Sequence, residues 1–351
     1  MTANLIDAEA LLERVEPWRG TAPAGYHPNF LGTMTALLFM AHWYPRELLE
    51  AALERPREVA TSRPRVTDGE MYFETCNVVR SVLAARDRYV MVELGGGYAG
   101  RAVDCAVALR RLNPVEPFFV ILEALPTYVE WCRHHFTSNG FSPDEHWILN
   151  AIVSDRPVPE CMYLQPRGFG NQVNDTTIGQ LLEKTLTNST DALAFVRGLV
   201  DNGAIRIEDG RALPDLDRRR PRAYRDPREW TAEQMQAEAI VRPESAQLGF
   251  VSALTLPNVL LPLERVDFMD VDIQFAEAKV IPPNLDLLRR KVKLLSIGTH
   301  SGEIHDALVR AFDPAVWEVV FDFAPWTTHE TSLGSFPTQD GILTLLNRTL
   351  A

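Results

Sequence analysis

The 351-residue chain has few cysteines and none of them close together. Cys76, Cys105, Cys132 and Cys161 form no C-x-x-C pair, so their spacing suggests neither a zinc site nor a disulfide framework. Reduced, partly buried thiols are the plainer expectation. Long apolar runs are also lacking. The longest greasy stretch, residues 36–41, is far too short to span a bilayer. Residues 1–16 carry acids at Asp7, Glu9 and Glu13 and lack the basic region and apolar run of a signal peptide. These absences predict a cytoplasmic protein without a membrane partner. Positive charge is in deficit too, with a formal net charge of −12. Phosphate neutralisation needs a concentrated basic face, so nucleic acid is not an expected partner.

What is present is an ordinary globular composition, 46% hydrophobic and 23% charged. The length suits one large domain with additions or two modest ones, and it can bury a core without staples. Residues 1–88 read as an N-terminal helical region. Its candidate helices cover residues 7–15, 45–53 and 69–86, the last with an apolar stripe through Met71, Phe73, Val78, Val79, Val82 and Leu83. From residue 89 the texture changes to strands alternating with helices. Apolar runs at residues 89–94, 118–123 and 147–153 read as buried parallel strands, with helices over 102–111 and 126–139 between them.

The alternation stops between about 156 and 248. This insertion holds a glycine-rich piece (167–171), a predicted helix over 178–199 and an arginine arm over 216–228. The arm reads either as a solvated segment paired with Asp215, Asp217, Asp226 and Glu229 or as a grip for an acidic acceptor. Strands resume at 266–272 and 292–297, a helix follows over 302–312, and residues 317–323 and 341–346 read as a closing antiparallel pair. The fold class expected is therefore α/β: a Rossmann-like, mostly parallel sheet with an antiparallel C-terminal strand, spanning 89–351. No internal repeat is seen.

Gly95-Gly96-Gly97-Tyr98-Ala99-Gly100 matches G-x-G-x-x-G between a strand and a helix. The pattern serves both dinucleotides and S-adenosylmethionine, and Glu123, closing the second strand, can take two ribose hydroxyls in either case. Glu93 separates the two. A dinucleotide places a pyrophosphate on the helix N-terminus, and a carboxylate two residues before the first glycine repels it. A sulfonium and an ammonium are instead attracted, which favours S-adenosylmethionine as cofactor. A nicotinamide-dependent oxidoreductase remains the alternative from another reaction class.

From this loop onward the chain resembles the FkbM-type methyltransferases, a class I family acting mostly on hydroxyls of sugars and polyketide-like products. The resemblance rests on residues 92–98, on 150–155 and on 266–277, where Asp272, Gln274 and Glu277 match a D-x-E/Q-G-x-E stretch. Thr299-His300 is similar to the family's E-x-H. Two residues depart from the pattern: Phe275 stands where the family usually has glycine, and Gly298 where it often has glutamate.

The resemblance implies an O-methyltransferase acting on a small molecule or glycan. His300 is then the general-base candidate and Asp272 its assistant or the orienter of the acceptor hydroxyl, both at strand ends facing the crevice. Gln274 and Glu277 are the substrate-side residues. Tyr98 covers the methionine end of the cofactor or packs against a helix, and Ala124, Asn150 and Ala151 lie beside the adenine, with Gly95 and Gly97 in the turn. Glu74, on a helix leading into the first strand, reads as a solvated face residue, with reach into the cleft as the alternative. Nothing in the spacing of Asp270, Asp272, Glu277 and His300 demands a metal. A catalytically silent module is a third reading, and a homo-oligomer is left open.

Overall fold

The computed structural model describes residues 2–41, 44–164, 172–173, 201, 205–208, 211–214, 230–239 and 247–350. The fold is α/β, built on a seven-stranded, mostly parallel sheet and compatible with a Rossmann-like arrangement. Numbered in chain order within that sheet, the strands are β1 (Arg88–Leu94), β2 (Glu116–Glu123), β3 (Trp147–Asn150), β4 (Val266–Val271), β5 (Val292–Thr299), β6 (Trp317–Phe323) and β7 (Gly341–Asn347). Their spatial order is 3-2-1-4-5-7-6. Strands β3, β2, β1, β4 and β5 run parallel, and β7 lies antiparallel between β5 and β6.

The alternation of side chains along each strand builds two cores. Tyr89, Met91, Phe119, Ile121, Phe268 and Leu294 face one side. Val92, Leu94, Val120, Leu122, Met269 and Leu295 face the other. This is the period of two of a pleated strand buried on both faces. The helices are α1 (Thr2–Glu13), α2 (Leu37–Met40), α3 (Arg46–Glu54), α4 (Glu70–Leu83), α5 (Gly100–Leu112) and α6 (Pro126–Ser138) in the first part of the chain. Helices α4, α5 and α6 cover the first face through Val79, Cys105 and Phe136. Leu256–Leu260, Leu285–Lys291 and Gly302–Ala311 cover the second through Leu260, Leu288 and Leu308. Each fully buried aliphatic or Phe side chain contributes roughly 1.5–3 kcal/mol relative to exposure.

Two expectations change. Residues 1–88 are not wholly helical: Arg19–Ala22 pairs antiparallel with Arg57–Ala60, and Tyr26–Pro28 with Met34–Ala36. Pro17, Pro23 and Pro28, with Gly20, Gly25 and Gly32, break any helix there. The strand expected over 147–153 is divided at Ala151. Its second part, Ile152–Ser154, leaves the sheet and pairs in parallel with Ala253–Thr255.

Within the insertion, Glu160–Leu164 is flanked by Gln172–Val173 and Gln247–Val251 in an antiparallel sheet. The helix Ala232–Ala239 buries Ala232 and Met235 against a cluster containing Phe39 and Leu49. The glycine-rich piece, the helix expected over 178–199 and the arginine arm lie outside the described residues. All four cysteines are buried. Among the described residues no helix is long and apolar enough to cross a membrane.

Candidate functional site

The carboxyl ends of β1, β2, β4 and β5 converge at one edge of the sheet, where open α/β sheets form a ligand crevice. The glycine loop folds back over this edge: the N–H groups of Gly95 and Gly96 both donate to the Leu122 carbonyl at 3.0 Å. Gly95 and Gly97 adopt φ of +83° and +54°, and Ala99 takes a left-handed φ of 59° just before α5. A side chain on Gly95 would overlap the backbone carbonyl of Asp272, so this glycine permits close packing of the loop on the end of β4.

Glu93 is buried beneath the loop. Its Oε1 accepts the Arg101 N–H at 3.2 Å and its Oε2 the Ala102 N–H at 3.0 Å. These are orphan donors of the first turn of α5, so the carboxylate occupies the seat in which such a helix would cradle a phosphate. Burial, helped by the charge of Asp270, pushes the Glu93 carboxyl up to about 8, against the pull of the two N–H groups and Arg101.

Glu123, also buried, accepts the Gly97 N–H through Oε2 at 2.8 Å and the Leu125 N–H through Oε1 at 2.7 Å. The Ala124 N–H also bonds to this carboxylate, which leaves about one of its four acceptor sites for a ligand hydroxyl. Burial pushes this carboxyl up to about 7. Asn150 donates to the Glu123 and Ala124 carbonyls, both at 2.9 Å, which ties the end of β3 to the end of β2. Ala124 is half-buried and Ala151 buried beside it.

Tyr98 is half-buried next to the glycine turn. Its ring stacks on Phe39 of α2 at 5.4 Å, and its carbonyl accepts from His135 at 3.0 Å.

His300 follows β5 directly and is buried. Its Nδ1 lies 2.8 Å from Glu277 Oε1, and its Nε2 lies 3.2 Å from Asp272 Oδ1 and 3.7 Å from Asp340 Oδ1. The two shorter contacts pair each ring nitrogen with a carboxylate at hydrogen-bonding distance. Burial opposes the imidazolium. The carboxylates of Asp272 and Glu277 outweigh it and raise His300 to about 10. With its pKa held near 10, the ring favours the imidazolium form at neutral pH.

Gln274 donates to Asp272 Oδ1 at 3.0 Å. It and Phe275 adopt left-handed φ of 49° and 72°. Phe275 therefore keeps the backbone conformation that a glycine at its position would supply. Below His300, a buried chain of contacts fixes the end of β5: Thr299 Oγ1 lies 2.9 Å from His305 Nδ1, and His305 Nε2 lies 2.8 Å from Asp322.

Three residues join the site that the sequence reading missed or set aside. Glu74 is not simply solvated: it is half-buried and ion-paired with Arg101, which also approaches Asp104 at 3.8 Å. Asp270 sits among these charges. Burial raises its carboxyl to about 7, although Arg101 pulls the other way. Asp340 precedes β7, and because β7 runs antiparallel, its start emerges at the same edge as the ends of β4 and β5. That reversal was the available signal. Glu70 holds the Asp340 turn by accepting the Gln339 and Asp340 N–H groups, both at 3.1 Å.

Among the described residues no group of three or more His, Cys, Asp or Glu side chains is arranged to hold a metal ion. Compared with family models, curated proteins and solved structures, the chain matches none.

Proposed function

We propose that the chain is a class I, S-adenosylmethionine-dependent O-methyltransferase of FkbM type, acting on a hydroxyl of a small molecule or glycan. The observation that carries this reading is the placement of Glu93. Both of its oxygens take up N–H groups that a pyrophosphate would need, so a dinucleotide loses its seat and meets a buried acid instead. Sheet order supports the same choice. Dinucleotide-binding sheets of this type run 3-2-1-4-5-6, whereas here an antiparallel strand is inserted before the sixth.

The residues present suit a positively charged donor. Glu93, Glu123 and Asp270 form a buried acidic group whose raised pKa values a cation would relieve. Glu123 offers a free lone pair to a ribose hydroxyl, and Ala124, Asn150 and Ala151 form the adjoining wall. When bound, S-adenosylmethionine supplies an electrophilic methyl group on a sulfonium.

Asp272 is half-exposed and stands 3.2 Å from the charged His300, so it is the group placed to take the proton of the acceptor hydroxyl. His300 orients that carboxylate and offers its own N–H to the acceptor oxygen. Glu277, fully buried on the other ring nitrogen, fixes the imidazolium.

Calorimetric titration tests the assignment. Micromolar uptake of S-adenosylhomocysteine with no uptake of NAD is expected. Tight NAD binding without affinity for S-adenosylhomocysteine would overturn it in favour of an oxidoreductase.

A further inference from the structure

Two large aromatic side chains are exposed beside His300. Phe275 is 43% exposed and Trp326 69%. The Phe275 ring lies 5.4 Å from the His300 ring, and the Trp326 indole N–H donates to the His300 carbonyl at 3.4 Å. Both residues hold left-handed φ, 72° and 56°. That conformation is disfavoured for any side chain with a Cβ, and exposing an aromatic ring adds nothing to the core. Strain of this kind collects at ligand sites.

The polar groups beneath them are unevenly charged. Asp272, Glu277 and Asp340 all lie within 3.7 Å of the single His300 ring. Glu277 Oε2 is buried with no hydrogen-bond partner. Among the described residues no Lys or Arg pairs with these carboxylates, so even a charged His300 leaves an excess of negative charge. The loop carrying Trp326 rests on the Asp340 turn: a Cβ on Gly341 would stand 2.7 Å from Pro325 Cδ.

We propose that Phe275 and Trp326, with Asp272 and Asp340, form a subsite for an ammonium group carried by the methyl acceptor. The proposal rests on the methyltransferase reading only in naming the ligand an acceptor. Aromatic faces attract cations, and the surplus carboxylates supply the counter-charge. A neutral sugar face would stack on the same rings but leave that charge unbalanced.

Choline is the probe, titrated by calorimetry onto the full chain with and without saturating S-adenosylhomocysteine. Its neutral isostere 3,3-dimethyl-1-butanol and glucose are the comparison ligands. Choline binds under both conditions, and the isostere and glucose bind at least about tenfold more weakly. Trp326→Ala and Phe275→Ala each weaken choline by about two- to fivefold, Trp326→Phe restores most of the loss, and affinity for S-adenosylhomocysteine stays unchanged. No choline binding, equal binding of either neutral ligand, indifference to both alanine substitutions, or displacement by S-adenosylhomocysteine each overturns the subsite. Choline binding as described without any uptake of S-adenosylhomocysteine removes the methyltransferase reading and leaves the subsite standing.

Discussion

Gly95 and Asp272 pack so closely that a single added carbon on the glycine would overlap the aspartate's backbone carbonyl. The Asp272 N–H also donates to the Leu94 carbonyl at 2.9 Å, extending the pairing of β1 with β4 by one residue. The glycine turn and the backbone that carries the Asp272 carboxylate are thus one junction.

Gly95→Ala therefore disturbs both sides at once. Its φ of +83° alone costs an alanine about 1–2 kcal/mol, and the overlap forces a further backbone shift. Thermal unfolding should show a fall in Tm of at least ~3 °C, and affinity for S-adenosylhomocysteine should fall with it. An alanine variant with unchanged Tm and affinity would mean that the loop sits further from β4.

On the proposed reading, Glu93 links donor binding to pH. Its carboxyl is held up to about 8, so below that pH much of it is protonated. A bound sulfonium favours the ionised form, and the proton must leave as the ligand enters. Affinity for S-adenosylmethionine should rise with pH and level off above about 8, with proton release visible as a buffer-dependent binding enthalpy. Glu93→Gln should flatten this profile. Since S-adenosylhomocysteine lacks the sulfonium, its own slope should be shallower. Identical slopes for the two ligands would disconnect Glu93 from the charged sulfur.

Much of this arrangement was legible in the chain because central strands announce themselves. Residues 89–94, 118–123 and 292–297 are continuous apolar runs, and only burial on both faces of a parallel sheet calls for that pattern. The glycine loop was equally plain, since close backbone approach leaves no other residue type. What stayed hidden depends on partners distant in sequence. The break at Ala151 follows from the Asn150 amide bonding across to β2 and from the pairing of 152–154 with 253–255. Glu74 looked solvated because nothing nearby in the chain reveals Arg101 across the helix interface. Asp340 required knowing that β7 runs backwards. His300 was found, but not its charge state, which depends on Asp272 and Glu277 being brought to it from the segment after β4.

Phe275 carries backbone strain that its position exposes to test. Left-handed φ costs a non-glycine residue about 1–2 kcal/mol, while glycine loses about 0.5–1 kcal/mol more backbone entropy on folding. Phe275→Gly should therefore raise stability by up to ~1 kcal/mol in urea unfolding, with little change in m value. If the ring serves recognition rather than folding, the same variant binds choline more weakly. A destabilised variant would show that the ring's contact with His300 outweighs the strain and is part of the fold.

His300 gives the sharpest pH signature. A histidine whose folded pKa is raised contributes stability that is fully present below its unfolded value near 6.5 and lost as pH rises through the folded value of about 10. The group is buried between Glu277 and Asp272, so solvent screening is weak. Urea unfolding of the wild type and of His300→Gln should differ most at about pH 6, converge steadily above about 6.5, and meet the limit set by the lost charge near pH 10. In parallel, activity with an acceptor should show no ionisation near 6.5 assignable to His300, because the ring is already charged there and Asp272 receives the proton. A stability gap that stays constant from pH 6 to 10, joined to an activity limb near 6.5 that disappears in His300→Gln, would return the base role to the imidazole.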